Sequence, residues 1–298
     1  MSAFAAAPST APRRALVLIN PNARRGSDGA GQARALLQQQ GLQLVEPEDD
    51  GKDLSDTIRR HADRVDCVVV GGGDGSLNGA VQGLLDTGLP LGVLPLGTAN
   101  DFARSVGIPF ALEGAAEAIG RGRLGRVDLG VANGYPYFNV ASIGFSAELA
   151  ASLTAENKKR WGKLGYAITA ARLLAGSSMF RAAIEHDGEV ERFKTFQVSV
   201  GNGRFYGGGM TVHSDASPMD GLLDCYSLEV DHWWKLLRLL PALRRGTHGQ
   251  WQDVRAFSSK RLVVDTDSPR PVNLDGELKT HTPVRFELLE QALPVYLP

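Results

Sequence analysis

The sequence predicts an α/β N-terminal domain with a parallel sheet and flanking helices, followed by a β-rich antiparallel C-terminal domain. Three observations predict it. From Ala15 to about Ile119, short apolar runs alternate with helical stretches, the pattern of repeated β-loop-α units. After about Gly122, strands follow one another with hairpin signals such as Asn133-Gly134 and Asp187-Gly188. A chain of 298 residues, 43% hydrophobic and 22% charged, is long and apolar enough for two cores.

Taken in order, Ala15-Leu16-Val17-Leu18-Ile19 is a continuous apolar run, as a strand buried on both faces requires, and residues 32–40 follow as a helix ended by Gly41. A second strand over 42–45 leads to a helix opened near Asp53 or Ser55. The third strand, 67–70, runs into a glycine loop and a helix over 77–85. The fourth, 91–94, ends at Pro95 and precedes helices over 102–105 and 111–119. In the second region strands are expected over 127–131, 137–143, 182–186, 193–200, 261–265 and 284–289, with helices over 161–174 and 232–245. These readings divide the chain into a tail (1–12), a nucleotide-binding α/β domain (13–125), a β-rich substrate domain (126–290) and a strand returning to the first domain (291–298).

Composition excludes several classes. Lys plus Arg (32) against Asp plus Glu (33) leaves a net charge of −1, so no overall field draws the chain to nucleic acid. The two cysteines, Cys67 and Cys225, sit in apolar strand-like runs and read as buried thiols of a cytosolic protein. No apolar stretch approaches the 18 or so residues of a membrane span, and the first residues read as a loose tail rather than a signal.

The strongest local signal is Gly72-Gly73-Asp74-Gly75-Ser76-Leu77-Asn78, where a strand end, bare glycine backbone and a helix start combine into a phosphate cradle. Asp74 adds negative charge there, which makes sense if Mg²⁺ lies between it and the phosphate; the other reading makes Asp74 a helix cap in a tight turn. Gly97-Thr98-Ala99-Asn100-Asp101-Phe102 follows the next strand, so in a parallel sheet it lies beside the first loop and adds a hydroxyl, an amide and a carboxylate. Asn20-Pro21-Asn22-Ala23-Arg24-Arg25 could hold a guanidinium over phosphate oxygens. Neither the G-x-x-x-x-G-K-[ST] loop nor an intact dinucleotide fingerprint is present.

These three loops together resemble the catalytic domain of the diacylglycerol kinase-like lipid kinases, bacterial YegS-like enzymes included, whose fold is shared with sphingosine kinases and NAD kinases. The resemblance continues through Asp128-Leu129-Gly130, Asn139-x-x-Ser142-Ile143-Gly144-Phe145, Gly201-Asn202-Gly203, Asp220-Gly221 and Asp275-Gly276-Glu277. It implies an ATP-dependent lipid kinase that passes the γ-phosphate to a lipid hydroxyl such as that of diacylglycerol. Asp74 would organise Mg-ATP, Thr98 would touch its phosphates, Glu277 would be the general base, and Asp275 would orient the site or help bind metal through water. A structural Mg²⁺ would be held by Asp220 with the carbonyls of Ser217 and Leu222, although Met219 replaces one of the family's two acidic residues there. Ser76 stands where a threonine is usual and keeps the hydroxyl.

A lipid alcohol as substrate implies a cytoplasmic enzyme making transient contact with the inner membrane surface; a homodimer is left open. The helix over 232–245 mixes indoles, leucines and cations as an interfacial helix would, and 158–163 is a second cationic cluster with an indole. The helix also reads, and more readily, as a core element with Trp233, Leu236, Leu237 and Leu240 inward. Two rivals remain: an NAD kinase-type phosphotransferase, which shares the G-G-D-G loop, and a non-catalytic nucleotide- or lipid-binding protein of the same fold.

Overall fold

The computed structural model describes residues 13–47, 53–152, 179–230 and 233–298. The helix expected over 161–174 and the cationic cluster over 158–163 lie outside them.

The first half is β1 (Arg14–Ile19), α1 (Gly26–Gln39), β2 (Gln43–Val45), α2 (Leu54–His61), β3 (Cys67–Gly72), α3 (Asp74–Thr87), β4 (Leu91–Pro95), α4 (Asp101–Ser105) and α5 (Leu112–Arg121). The strands pair in parallel in the order β2-β1-β3-β4. Helices cover the sheet, and the core is built from continuous apolar strands such as Cys67-Val68-Val69-Val70, every residue of which is buried. Parallel order puts the carboxyl ends of β1, β3 and β4 on one edge, where ligand loops belong.

The second half comprises β5 (Leu124–Ala132), β6 (Tyr135–Tyr137), β7 (Val140–Gly144), α6 (Phe145–Ser152), β8 (Phe180–His186), β9 (Glu189–Thr195), β10 (Gln197–Gly201), β11 (Phe205–Tyr206) and β12 (Met210–Thr211). It ends with β13 (Leu223–Leu228), α7 (Trp233–Arg245), β14 (Val254–Ser259), β15 (Arg261–Thr266), β16 (Pro271–Leu274), β17 (Glu277–His281) and β18 (Val284–Tyr296). A six-stranded antiparallel sheet, β14-β13-β10-β7-β16-β17, packs its apolar face against the other sheet through Ile143, Val198, Ile184, Val264 and Phe286. Its opposite face meets α7, where Leu239, Ala242 and Leu243 are buried at helical spacing near Tyr226 and Leu228. The side chains of Trp233, Trp234, Leu236, Leu237 and Leu240 lie outside the described set.

One strand joins the halves. β18 pairs antiparallel with β15 and β5, then pairs in parallel with β4 through Val295 and Leu91. The order β2-β1-β3-β4-β18-β15-β8-β9 is therefore one continuous sheet. The β18–β5 register breaks between Leu289 and Leu293, where Gln291 takes a φ of 48°.

Several elements differ from expectation for physical reasons. α1 starts at Gly26, six residues early, because a Cβ at Gly26 would lie 2.1 Å from the Asn20 carbonyl oxygen; only glycine allows the helix to leave the strand so closely. The single strand expected over 137–143 is split at Phe138-Asn139, whose amides turn toward Asp275. The run 193–200 divides at Phe196, where the chain leaves one sheet for the other.

Candidate active site

The loops after β1, β3 and β4 meet backbone to backbone. Leu96 N and Gly97 N both donate to the Gly72 carbonyl, at 2.9 and 3.1 Å, and Asn20 N donates to Gly71 O at 2.8 Å. A Cβ on Gly97 would lie 2.4 Å from Gly73 Cα, so this contact demands glycine. Asn100, in the left-handed region at φ 51°, closes its loop by accepting from Gly97 N and donating to Gly97 O. Asn20 Nδ2 donates to Ser76 Oγ at 3.1 Å, and that buried hydroxyl fills the space over Gly72.

α3 begins at Asp74 with no side-chain cap; Ser76 N already donates to Gly73 O at 2.9 Å, while the amides of Asp74 and Gly75 have no acceptor among the described residues, and a Cβ at Gly75 would meet nothing within 4 Å. A helix N-terminus with bare backbone in open space can receive an anion. Thr98 is exposed beside it. Asn22 N donates to Asn20 Oδ1, and Pro21, Asn22 and Arg24 stand exposed on the rim. Arg25 departs from expectation: its guanidinium donates to Pro95 O at 3.2 Å and Phe110 O at 2.9 Å, tethering the end of β4 instead of reaching over the loop. Asn78 Oδ1 is buried without a hydrogen-bond partner.

Asp74 has a more constrained place than a carboxylate facing a metal. Its oxygens accept from Asp101 N (3.1 Å) and Phe102 N (3.0 Å), capping α4, and from Asn139 Nδ2 (3.1 Å) across the domain junction. The helix-cap reading is thus right in kind, but the capped helix is α4, not α3. Asp101 is buried, accepts from Gly208 N at 2.8 Å, and its Oδ1 has no partner. Burial, aided by nearby Asp74, pushes its carboxyl up to about 6.

Asn139 carries the chain of contacts onward. Its own amide and those of Phe138 and Val140 donate to the Asp275 carboxylate at 2.7 to 3.0 Å. Burial pushes Asp275 up to about 7 against these three donors, with Asp74 adding repulsion. Asp275 and Gly276, at φ 48° and 100°, form the tight turn between β16 and β17, and Glu277 follows as the first residue of β17. Glu277 is exposed, with Lys279 Nζ 2.7 Å from its Oε2. A hydrogen-bonded path thus runs from the glycine loop through Asn139 to the turn carrying Glu277. Sequence reasoning quoted Asn139 without giving it a role; a buried asparagine at a strand break, inside an otherwise apolar stretch, was the signal.

The Asp220 turn lies apart from this path. Asp220 accepts from Ser217 N and Leu222 N, each at 3.0 Å, and its amide donates to Ser217 O at 3.3 Å. Burial raises its pKa, with repulsion from Asp224 and Asp128. Asp128 joins the turn to β18 by accepting from Gly221 N (2.9 Å) and Gln291 N (2.6 Å). Among the described residues no three His, Cys, Asp or Glu side chains converge as a metal site.

Residues 14–132 match the family model described as the diacylglycerol kinase catalytic domain, and residues 139–297 match the YegS C-terminal NAD kinase beta sandwich-like domain. The chain belongs to the diacylglycerol kinase-like lipid kinase family. The chain is 32% identical over 307 residues to the diacylglycerol kinase of Mycobacterium tuberculosis (strain ATCC 25618 / H37Rv), covering 94% of each chain. It is 30% identical to that of Bacillus subtilis (strain 168), covering 78% of each. It spans 54% of the length of a Synechocystis protein to which it is 29% identical. A crystal structure of a diacylglycerol kinase from Bacillus anthracis str. Sterne superposes with a TM-score of 0.78 at 26% identity, covering 98% of this chain and 99% of that one. No helix of the described residues is long and apolar enough to cross a membrane.

Proposed function

We propose that the protein transfers the γ-phosphate of ATP to a hydroxyl of a membrane lipid, with diacylglycerol as the acceptor. The observation that carries this reading is the path Asp74–Asn139–Asp275, which ties the turn before Glu277 to the anion-receptive loop of Gly72, Gly73, Asp74, Gly75 and Ser76. In this scheme the first-turn amides of α3 and the Thr98 hydroxyl take the donor's phosphates. Asp74 and Asn100 keep the two loops in register, and Glu277 accepts the proton of the lipid hydroxyl as it attacks. Phosphoryl transfer needs mainly alignment and charge stabilisation, and Glu277, exposed at the rim with only Oε2 paired to Lys279, keeps its other oxygen for an incoming alcohol.

Beside the loops, Mg²⁺ would find one open hard donor, the buried and unpartnered Oδ1 of Asp101, while the Asp74 oxygens already accept from three N–H groups. Burial first, and repulsion from Asp74 after it, raise the carboxyls of Asp101 and Asp275, with Arg104 a minor counter-charge to Asp101. At the second place, Asp220 with the carbonyls of Ser217 and Leu222 offers hard oxygen donors beside Asp128 and Asp224. The ion would supply charge neutralisation at either place.

The test is to incubate the protein with labelled ATP, Mg²⁺ and either diacylglycerol in mixed micelles or NAD. Label in the lipid fraction is expected. Label in the dinucleotide, or in neither, overturns the reading.

A further inference from the structure

The outer face of β15-β8-β9 carries three cations that form no ion pair among the described residues. β8 and β9 pair with Arg181 opposite Lys194 and Ala183 opposite Arg192, so the three basic side chains share one face. Asp265 of β15 lies opposite Ala183 on that face. Like charges directly opposite in an antiparallel pair are destabilising, and a third cation on the diagonal adds to the repulsion. Yet Arg181, Arg192 and Lys194 are exposed, and their side chains make no ion pair or hydrogen bond.

These side chains line one wall of a groove of about 550 Å³; Asp265 and Asp267 line the other, and small Ala183 leaves room between them. The carboxylates do not close on the cations. Asp265 Oδ1 accepts from Thr266 N at 2.8 Å, while Asp267 Oδ2 accepts from Arg181 N at 3.4 Å and its Oδ1 lies 4.0 Å from Arg270 Nε. The groove is therefore dipolar, with anion-seeking donors on the β9 side and acceptors on the β15 side. β9 stands four strands from β4 in the continuous sheet, about 19 Å at the usual strand spacing, so this groove is separate from the phosphate-transfer loops.

We propose that this groove binds a phosphate ester whose alcohol part carries hydroxyl or ammonium donors. The phosphate lies on Arg181, Arg192 and Lys194, and the alcohol's donors point to Asp265 and Asp267. Glycerol phosphate has this chemistry, either free or as the headgroup of a bilayer lipid. The inference does not rest on the proposed lipid kinase activity.

The test uses the full chain in phosphate-free buffer, following the thermal midpoint while titrating glycerol 3-phosphate into wild type, Lys194→Gln, Arg181→Gln and, as a charge control, Arg121→Gln. A saturable rise is expected for wild type and the control, with the half-saturating concentration shifted about tenfold or more in the two groove variants. Without ligand, Lys194→Gln melts at or above the wild-type temperature, because the substitution removes a like-charge pair. In parallel, flotation compares phosphatidylcholine vesicles with vesicles containing phosphatidylglycerol. Lys194-dependent preference for the latter identifies a lipid headgroup; a soluble-ester response without that preference identifies a free ester. Equal responses in wild type and groove variants, or no response in either arm, overturn the proposal. So does a Lys194→Gln protein that melts well below wild type without ligand, since Lys194 would then have a structural partner.

Discussion

Glu277 is exposed beside Lys279, so replacing it disturbs no buried contact. Glu277→Gln is expected to lower kcat for phosphate transfer by about 10²- to 10⁴-fold, with ATP affinity and thermal midpoint unchanged. Calorimetric titration with Mg-ATP alongside turnover checks both halves of that statement. Asp74→Ala differs: it removes the acceptor for two amides and for Asn139, so a loss of about 2 kcal/mol of stability accompanies the loss of transfer. Asn139→Asp keeps the shape but sets a second carboxylate against Asp74. It should reduce kcat more than it raises KM for ATP, and steady-state kinetics on the variant would decide. His248 belongs to a different part of the molecule. Burial pushes its imidazole down to about 4, and it packs edge-on against Tyr226 with ring centroids 4.6 Å apart. A depressed histidine contributes stability that is present above its ordinary pKa near 6.5 and lost as pH falls toward 4, about 3 kcal/mol at most. Asp275, pushed up, works in the opposite direction between about pH 4 and 7. The urea midpoint at pH 4.5, taken relative to that at pH 7, should therefore be higher in His248→Gln than in wild type, because the substitution removes the loss on acidification and leaves the Asp275 gain.

The glycine loops show which elements were legible in the sequence and which were not. Consecutive glycines at a strand end announce close backbone approach, and Gly73 and Gly97 do approach one another. Gly97→Ala should push the loops apart at a cost of about 1–3 kcal/mol and raise KM for ATP; an unchanged KM would show that the contact does not shape the nucleotide site. Arg25 was misread because a loop arginine looks the same whether it faces a ligand or the protein's own carbonyls. The decisive acceptors, Pro95 O and Phe110 O, lie about 70 and 85 residues away. The breaks at Phe138-Asn139 and Phe196 were hidden for a related reason. Strand-forming residues continue on both sides of each break, and only long-range partners such as Asp275 reveal that the backbone turns. Short pairs such as β11 and β12 offer too few residues for a period to register.

At the scale of the whole molecule, alternating and successive strand patterns were enough to identify two kinds of architecture and to expect a last strand returning to the first, but not that this strand, β18, begins at Val284 and carries one sheet through both. That continuity depends on β18, whose buried Leu293, Val295 and Tyr296 complete the first core. Leu293→Ala should destabilise the protein by about 2–5 kcal/mol. Because the strand is shared, loss of helix by circular dichroism and the tryptophan signal should shift together. All four tryptophans, at 161, 233, 234 and 251, lie in the second half, so two separated transitions would reveal independent halves. The interrupted register of β18 has one further consequence. Asp128 grips Gln291 at that interruption with one oxygen and Gly221 beside Asp220 with the other. Any charge arriving at the Asp220 turn therefore acts, through a single carboxylate, on the place where the common strand bends.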